Sequence, residues 1–301
     1  MDAKTPVQHL TVTPDEAGQK LSRFLERRFP GLPGSLWMRA IRTGQVRLDG
    51  KRAKPFDPVA AGQAVRVPPL RPPLSPDGAP AVAPAPPAGL DLHREPDGLL
   101  IIRKPAGLPT QPGSGHGDSV QARLAALFST APFTPAPAHR LDKDTSGLIL
   151  AGATYQATRA LHDWIAQGAL TKRYLAWIDA ALAPGSVLDL HDTLAKSGPS
   201  GQERMQPTPD GKPARARARC LATRAGRSLL ELELFTGRTH QLRVQLASRN
   251  LPIAGDRKYG ATTPGPMRLH AWRLALPDGR VFTWLPDWDG EFRVEEAELE
   301  R

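Results

Sequence analysis

Asp142, Tyr174 and Arg243 are the side chains whose types and settings point to chemistry. Asp142 stands in His139-Arg140-Leu141-Asp142-Lys143-Asp144-Thr145-Ser146-Gly147. That is a turn ahead of an apolar strand, where a carboxylate can face a cleft rather than a core. Tyr174 follows Lys172-Arg173 at the start of a strand. Arg243 lies in Thr236-Gly237-Arg238-Thr239-His240-Gln241-Leu242-Arg243-Val244, on the inner turn of a helix entered through a glycine bend. An ionised carboxylate is a nucleophile. A guanidinium steadies such a carboxylate by a charge-assisted, potentially bidentate bond. A phenol at a strand start offers an apolar face and a polar hydroxyl. Each residue also has a plainer use: Asp142 as a loop cap, Tyr174 as strand core, Arg243 in a surface ion pair.

Competing signals fail. Gly113-Ser114-Gly115-His116-Gly117 does not complete a dinucleotide fingerprint, because position 118 is Asp. No Walker-type loop is present. Asp144-Thr145-Ser146-Gly147 has one residue more than an Asp-Thr-Gly protease loop, and no second copy supplies a paired carboxylate. No second carboxylate is obviously paired with Asp142 for retaining hydrolysis. His139 with Asp142 is half a metal site at most, without further His or Cys at ligand spacing. We expect neither a metal nor another cofactor.

The elements that must position these residues fall into two segments. In residues 8–68, Leu21, Phe24, Leu25 and Phe29 make one helical stripe that Pro30-Gly31 closes. Ser35 is expected to cap a second helix carrying Leu36, Trp37, Ala40 and Ile41, ending at Gly44. Val46 and Leu48, the Asp49-Gly50 turn, then Val65 and Val67 predict a small hairpin unit. Residues 69–89 are dominated by Pro and Ala, which disfavours helix and central strand and predicts a semi-extended linker. Residues 90–295 carry strands at Leu99–Ile102, Leu148–Leu150 and Tyr174–Ile178, and alternating ones through Arg215-Arg217-Arg219 and Leu230-Leu232-Leu234. Helices are expected from Asp118 or Ser119 to Leu127, near 155–167, and from about Thr239 to Ser248. The fold class is α+β: a mixed, mostly antiparallel sheet, preceded by a small unit of two helices and a hairpin.

Charge narrows the partners. Lys plus Arg is 40 and Asp plus Glu is 30, a net charge of +10 in 301 residues. Such a balance favours a polyanion through counterion release. Arg39, Arg42, Arg47, Lys51, Arg52 and Lys54 cluster around the second helix and the hairpin. Cys220 is the single cysteine, so neither an internal disulfide nor a Cys-based zinc site can form. The first residues lack a basic start followed by an apolar run, and no apolar stretch is long enough for a membrane. These features predict a soluble cytoplasmic protein, with monomer as the expected state.

Two resemblances follow from these residues. Ser35–Lys54, SLWMRAIRTGQVRLDGKRAK, resembles the RNA-binding domain first known from small-subunit ribosomal protein S-four. HRLDKDTSG (139–147), TGRTHQLRV (236–244), IIRKPAG (101–107), IAGDRKYG (253–260) and Leu269-His270-Ala271 resemble, in order, the motifs of RluA-type pseudouridine synthases. The front domain points to the RluC branch, which implies uridines of large-subunit ribosomal RNA as substrate. Transfer RNA, or a non-catalytic role in RNA binding or ribosome assembly, are the alternatives. The resemblance makes Asp142 the nucleophile, Tyr174 the ring against the target base and Arg243 the partner of Asp142. It makes Arg140 the residue that enters the stack the uridine leaves. His139, more structural than catalytic, is grouped with Arg140 and the basic cluster as RNA-facing. Tyr174 is also a candidate to remove the proton from carbon 5. The chain departs from the family at Gln245, where His is frequent, and at Arg103, where Asn is usual. Uridine isomerisation needs no redox partner and no group donor, which fits the expectation of no cofactor. Flipping the base out costs a few kcal/mol, part of which Arg140 would offset.

Overall fold

The computed structural model describes residues 6–29, 32–69, 89–112, 118–198 and 204–299. Most of the proline-rich stretch, and the Gly113–Gly117 segment, lie outside the described residues.

The front unit is a four-stranded sheet with two helices. It runs β1 (Gln8–Thr11), α1 (Leu21–Arg28), α2 (Gly34–Arg42), β2 (Arg47–Leu48), β3 (Lys51–Arg52) and β4 (Ala64–Val67), in sheet order β1-β4-β2-β3. Leu21, Phe24, Leu25, Trp37, Ile41, Val46, Val65 and Val67 fuse into its own core. Asp49 and Gly50 both have positive φ (49° and 74°), the geometry that a tight two-residue hairpin demands. Asp49 also accepts the Ala64 amide at 2.8 Å, which ties the turn to β4. Ser35 does not cap α2. The helix starts one residue earlier, at Gly34 behind Pro33, and has no side-chain cap; a proline there fixes φ where a helix begins. The strand β1 was not anticipated: it is short and pairs with β4, more than fifty residues on.

The larger unit contains β5 (Leu92–Arg94), β6 (Leu99–Lys104), α3 (Val120–Leu127), β7 (Ser146–Gly152), α4 (Tyr155–Ala166), β8 (Thr171–Ile178), β9 (Val187–Ser197), β10 (Arg204–Pro207), β11 (Lys212–Arg224), β12 (Arg227–Leu234), α5 (Gln241–Ala247), β13 (Leu269–Ala275), β14 (Val281–Thr283) and a short α6 (Glu296–Leu299). One sheet runs β10-β9-β11-β12-β8-β13-β7-β6-β5, with β14 on β13. Neighbours are antiparallel except β7 with β13. This is the α+β, mostly antiparallel architecture expected. Ser119 caps α3 by accepting the Ala122 amide at 3.1 Å, and Thr154 caps α4 through Ala157 at 3.1 Å.

The sheet is buried on both faces. Leu100, Ile102, Leu124, Ile149, Leu230, Leu232, Leu242 and Leu246 pack on one side, and Leu99, Ile101, Leu148, Leu150, Leu161 and Leu274 on the other. That explains why β6 and β7 read as unbroken apolar runs rather than alternating ones. Gly147 permits the parallel contact at the centre. Its φ is 125°, and a Cβ there would lie 2.4 Å from the Ala271 backbone. The motif glycine after Ser146 therefore seats β7 against β13 and fixes where the preceding loop ends. Among the described residues no helix is long and apolar enough to cross a membrane.

Candidate active site

A loop, a strand and a helix meet at one pocket. Asp142 comes from the loop between α3 and β7, Tyr174 from β8 and Arg243 from α5; all three line it. Register explains the convergence: Tyr174 lies opposite Ala271 on β13 and Leu232 on β12, while Ala271 in turn meets Gly147. The pocket measures about 570 Å³, counting space continuous with solvent, and Arg140, Leu141, Thr145, Leu234, His240 and Leu269 complete much of its wall.

Arg243 is the structural pivot. Its Nε and Nη2 donate to Asp256 Oδ2 and Oδ1 at 2.7 and 2.8 Å, a two-pronged buried pair. Its Nη1 donates to Asp142 Oδ2 at 3.1 Å. Burial opposes the charge on Arg243, but the bonds to Asp256 and then to Asp142 outweigh it and hold the guanidinium above its ordinary pKa. Asp256 is 2% exposed, whereas the Asp142 side chain keeps 17% of its surface. One carboxylate thus locks the arginine and the other is presented to the pocket. Asp256 belongs to the IAGDRKYG segment, which the sequence had matched without assigning this role.

His240 was likewise unassigned. It sits at the start of α5 with φ 52°, a left-handed conformation uncommon outside glycine and asparagine. Its Nε2 lies 3.8 Å from Asp142 Oδ2 and its Nδ1 2.7 Å from the Tyr259 hydroxyl. Burial lowers its pKa, with Asp142 pulling the other way. At neutral pH the ring is therefore uncharged, and Arg243 is the cation that Asp142 meets. Gln241 holds the bend before α5: its Oε1 accepts from the Thr236 hydroxyl and the Arg238 amide at 2.8 and 3.0 Å.

The Asp142 loop is clamped from the 104–110 segment. Lys104, fully buried, donates from Nζ to the carbonyls of Pro105, Leu108 and Lys143 at 2.9, 2.7 and 2.9 Å. Burial pushes its pKa down to about 7, against the pull of Asp144 and Asp142. Thr110 brackets Leu141, donating to its carbonyl at 2.8 Å and accepting its amide at 3.0 Å. The Lys-Pro pair had been noted by resemblance alone; its clamp joins parts of the chain that no local pattern connects.

Tyr174 is buried, and burial first, then Asp142, raises its pKa. The phenol keeps its proton near neutrality, so the resting pocket offers a ring and a hydroxyl rather than a phenolate base. His139 is fixed structurally: its Nε2 accepts the Leu150 amide at 3.1 Å, and burial, aided by Lys172, pushes its pKa down to about 3. Burial thus disfavours a charge on the ring, which lies beside Arg140 in the wall of a depression next to the pocket. Arg140 is exposed at the pocket edge. Arg39, Arg42, Lys51, Arg52 and Lys54 are exposed in the front unit and do not reach the pocket; none pairs with a carboxylate among the described residues. Gln245 is fully buried and its Nε2 spans Leu190 O, Asp192 Oδ2 and Ala214 O, so this departure belongs to the support of α5. Arg103 is equally remote, 3.6 Å from Asp91 and over the Trp284 ring. Among the described residues no cluster of three or more potential metal ligands occurs.

Comparison with known proteins agrees with the geometry. The family described as RNA pseudouridylate synthase matches residues 98–248. The chain is 35% identical over 267 residues to Ribosomal large subunit pseudouridine synthase C of Escherichia coli (strain K12), covering 86% of this chain and 82% of that protein. The protein of the same name in Yersinia pestis is 34% identical over 256 residues, covering 84% and 80%. Human RNA Pseudouridylate Synthase Domain Containing 4 has a similar fold, with a TM-score of 0.54 at 23% identity over 68% of this chain and 92% of that chain.

Proposed function

The chain belongs to the RNA pseudouridylate synthase family, and from that premise we propose that it isomerises uridines of large-subunit ribosomal RNA with Asp142 as nucleophile. It is an isomerase acting on uridine in RNA. The observation that carries the site assignment is the Asp142 carboxylate, bound through Oδ2 by Arg243 at 3.1 Å in a pocket walled by Tyr174. The bond from ribose C1′ to N1 breaks, the uracil turns, and a bond from C1′ to C5 forms. C5 loses a proton and N1 gains one, so no oxidant, reductant or donor is consumed. Tyr174 stacks on the extruded base, a contact worth ~1–3 kcal/mol by comparison with other base–aromatic pairs. Arg243 stabilises the charged carboxylate where solvent is displaced.

Ribosomal rather than transfer RNA is favoured by two things. The relatives carry that substrate in their names, and residues 8–68 present an unpaired basic face suited to a large structured RNA. We read residues 8–68 as an RNA-gripping domain, 90–295 as the catalytic domain and the stretch between as a linker. We read the protein as a cytoplasmic monomer that needs no cofactor.

The test is a pseudouridine map of ribosomal and transfer RNA in cells lacking the protein. Loss of sites in large-subunit RNA, restored by the wild type and by none of the Asp142→Asn rescue, is the expected result. Full rescue by Asp142→Asn would remove the nucleophile assignment, and sites lost from transfer RNA alone would reassign the substrate.

A further inference from the structure

A second, larger depression of about 1810 Å³ lies beside the reactive pocket. It shares Arg140, Tyr174, Leu234, Gly237 and Arg238 with the pocket, so the two are continuous. Two of its lining side chains bear on what it could hold. Phe235, next in chain to Leu234 at the end of β12, keeps 47% of its surface exposed. Lys172, two residues before Tyr174, is half-buried, and burial lowers its pKa. No carboxylate lies within ion-pair distance of Lys172 among the described residues. Glu233, also in the groove, is committed to Arg173 at 3.1 Å. His139, which lines the same groove, has its pKa lowered by burial and then by Lys172, so it brings no counter-charge.

A lone exposed phenylalanine is ordinary on a protein surface. A half-buried cation without a counter-charge is not, because partial desolvation penalises it until an anion arrives. Here the two line one groove with Arg140, Arg215 and Arg238, and the groove opens into the pocket where the base is transformed. Alternating aromatic and cationic groups are how single-stranded nucleic acid is held without reading its sequence.

We propose that this groove is a subsite for the nucleotide adjoining the target uridine, its phosphate at Lys172 and its base stacked on Phe235. The proposal rests on the reading of the neighbouring pocket as the seat of the flipped uridine. It explains why Arg140 stands at the junction: a side chain there separates the extruded base from the next one along the strand. The subsite is indifferent to base identity, so it strengthens grip at the reacting position and leaves selection of the site to other contacts.

The experiment uses the full chain and two fluorescent probes, a short oligouridylate and an oligomer of the same length with one uridine flanked by abasic residues. Binding is followed by anisotropy over a salt series, and turnover by release of tritium from C5 of labelled RNA. Phe235→Ala should weaken the oligouridylate about tenfold, the scale of one lost base–aromatic stack. The abasic probe should bind wild type and Phe235→Ala alike, and Phe235→Trp should restore the oligouridylate. Lys172→Met should flatten the slope of log affinity against log salt by about 0.7, one phosphate contact on a single strand. Its melting temperature should not fall, since a half-buried cation without a carboxylate partner is replaced by a thioether of similar length. Equal affinity of Phe235→Ala and wild type for oligouridylate, or an unchanged slope in Lys172→Met, overturns the subsite. Absence of tritium release by wild type would instead overturn the isomerase reading.

Discussion

Arg243 between two aspartates divides one ion-pair system into a buried half and a half that faces the pocket. Asp256 takes both prongs of the guanidinium fork in a place solvent hardly reaches, and Asp142 takes the remaining nitrogen at the pocket wall. Removing one partner of a buried pair leaves the other charge uncompensated, at a cost of roughly 3–5 kcal/mol. Asp256→Asn is therefore expected to lower the melting temperature and to cut turnover, because Arg243 loses the anchor that aims it. Asp142→Asn should abolish turnover and disturb stability far less, since the Arg243–Asp256 fork survives. Thermal unfolding and tritium-release rates on both variants separate the roles. A melting temperature for Asp256→Asn equal to that of wild type would mean the fork contributes nothing to the fold. The two aspartates look alike in sequence, each in a turn that follows a glycine-containing or apolar segment. Their difference lies in burial and in reach, since Asp256 meets Arg243 from 13 residues away and Asp142 meets it from 101.

The elements show where local pattern suffices and where it does not. The α1 stripe, the Ser119 cap of α3, the Asp49-Gly50 turn and the apolar runs of β6 and β7 follow from spacing alone, and all occur as expected. The long edge-side strand β9 went unread because half its residues are polar or charged. The position of β13 between β7 and β8 could not be read at all, for it joins segments separated by some 120 residues. The candidate site was legible as far as Asp142, Tyr174 and Arg243, whose distinctive segments do meet at one pocket. It was not legible at Lys104, whose partners are three backbone carbonyls and thus carry no residue signature. That clamp has a measurable consequence. Lys104 titrates near 7 in the fold against 10.5 when free. Between those values the unfolded chain holds more protons than the native one, so this residue makes stability rise with pH. Urea unfolding between pH 7 and 9 should show wild type gaining on Lys104→Met by about 1 kcal/mol per pH unit. Parallel stability curves for the two proteins would show that Lys104 titrates normally.

At the scale of the whole molecule, the front unit is seated on the catalytic one. The Arg27 guanidinium lies 4.1 Å from the centroid of the Phe133 ring and reaches Thr134 O at 3.4 Å. Gln156, in the first turn of α4, donates to Ala17 O at 3.1 Å, and Tyr155 packs over Gly18. These contacts do not involve the basic cluster: Arg39, Arg42, Lys51 and Arg52 are exposed and make no ion pair among the described residues. Removing the front unit would uncover Phe133, which is 1% exposed, so truncation confounds binding with folding. Charge removal does not. A variant with Arg39, Arg42, Lys51 and Arg52 all changed to Ser leaves Trp37, Ile41 and Val46 of the core untouched and should melt with wild type. On structured ribosomal RNA it should bind more weakly, and each lost phosphate contact should flatten the dependence of log affinity on log salt by about 0.9. Loss of three or four contacts then changes the slope by roughly 3, well outside measurement error. Turnover on a short RNA confined to the reactive pocket and its groove should stay at the wild-type rate. An unchanged slope would strip the front unit of its part in RNA recognition and leave its charge an ordinary solvated surface. A matching loss on the short RNA would mean that the front unit acts through the catalytic site rather than beside it.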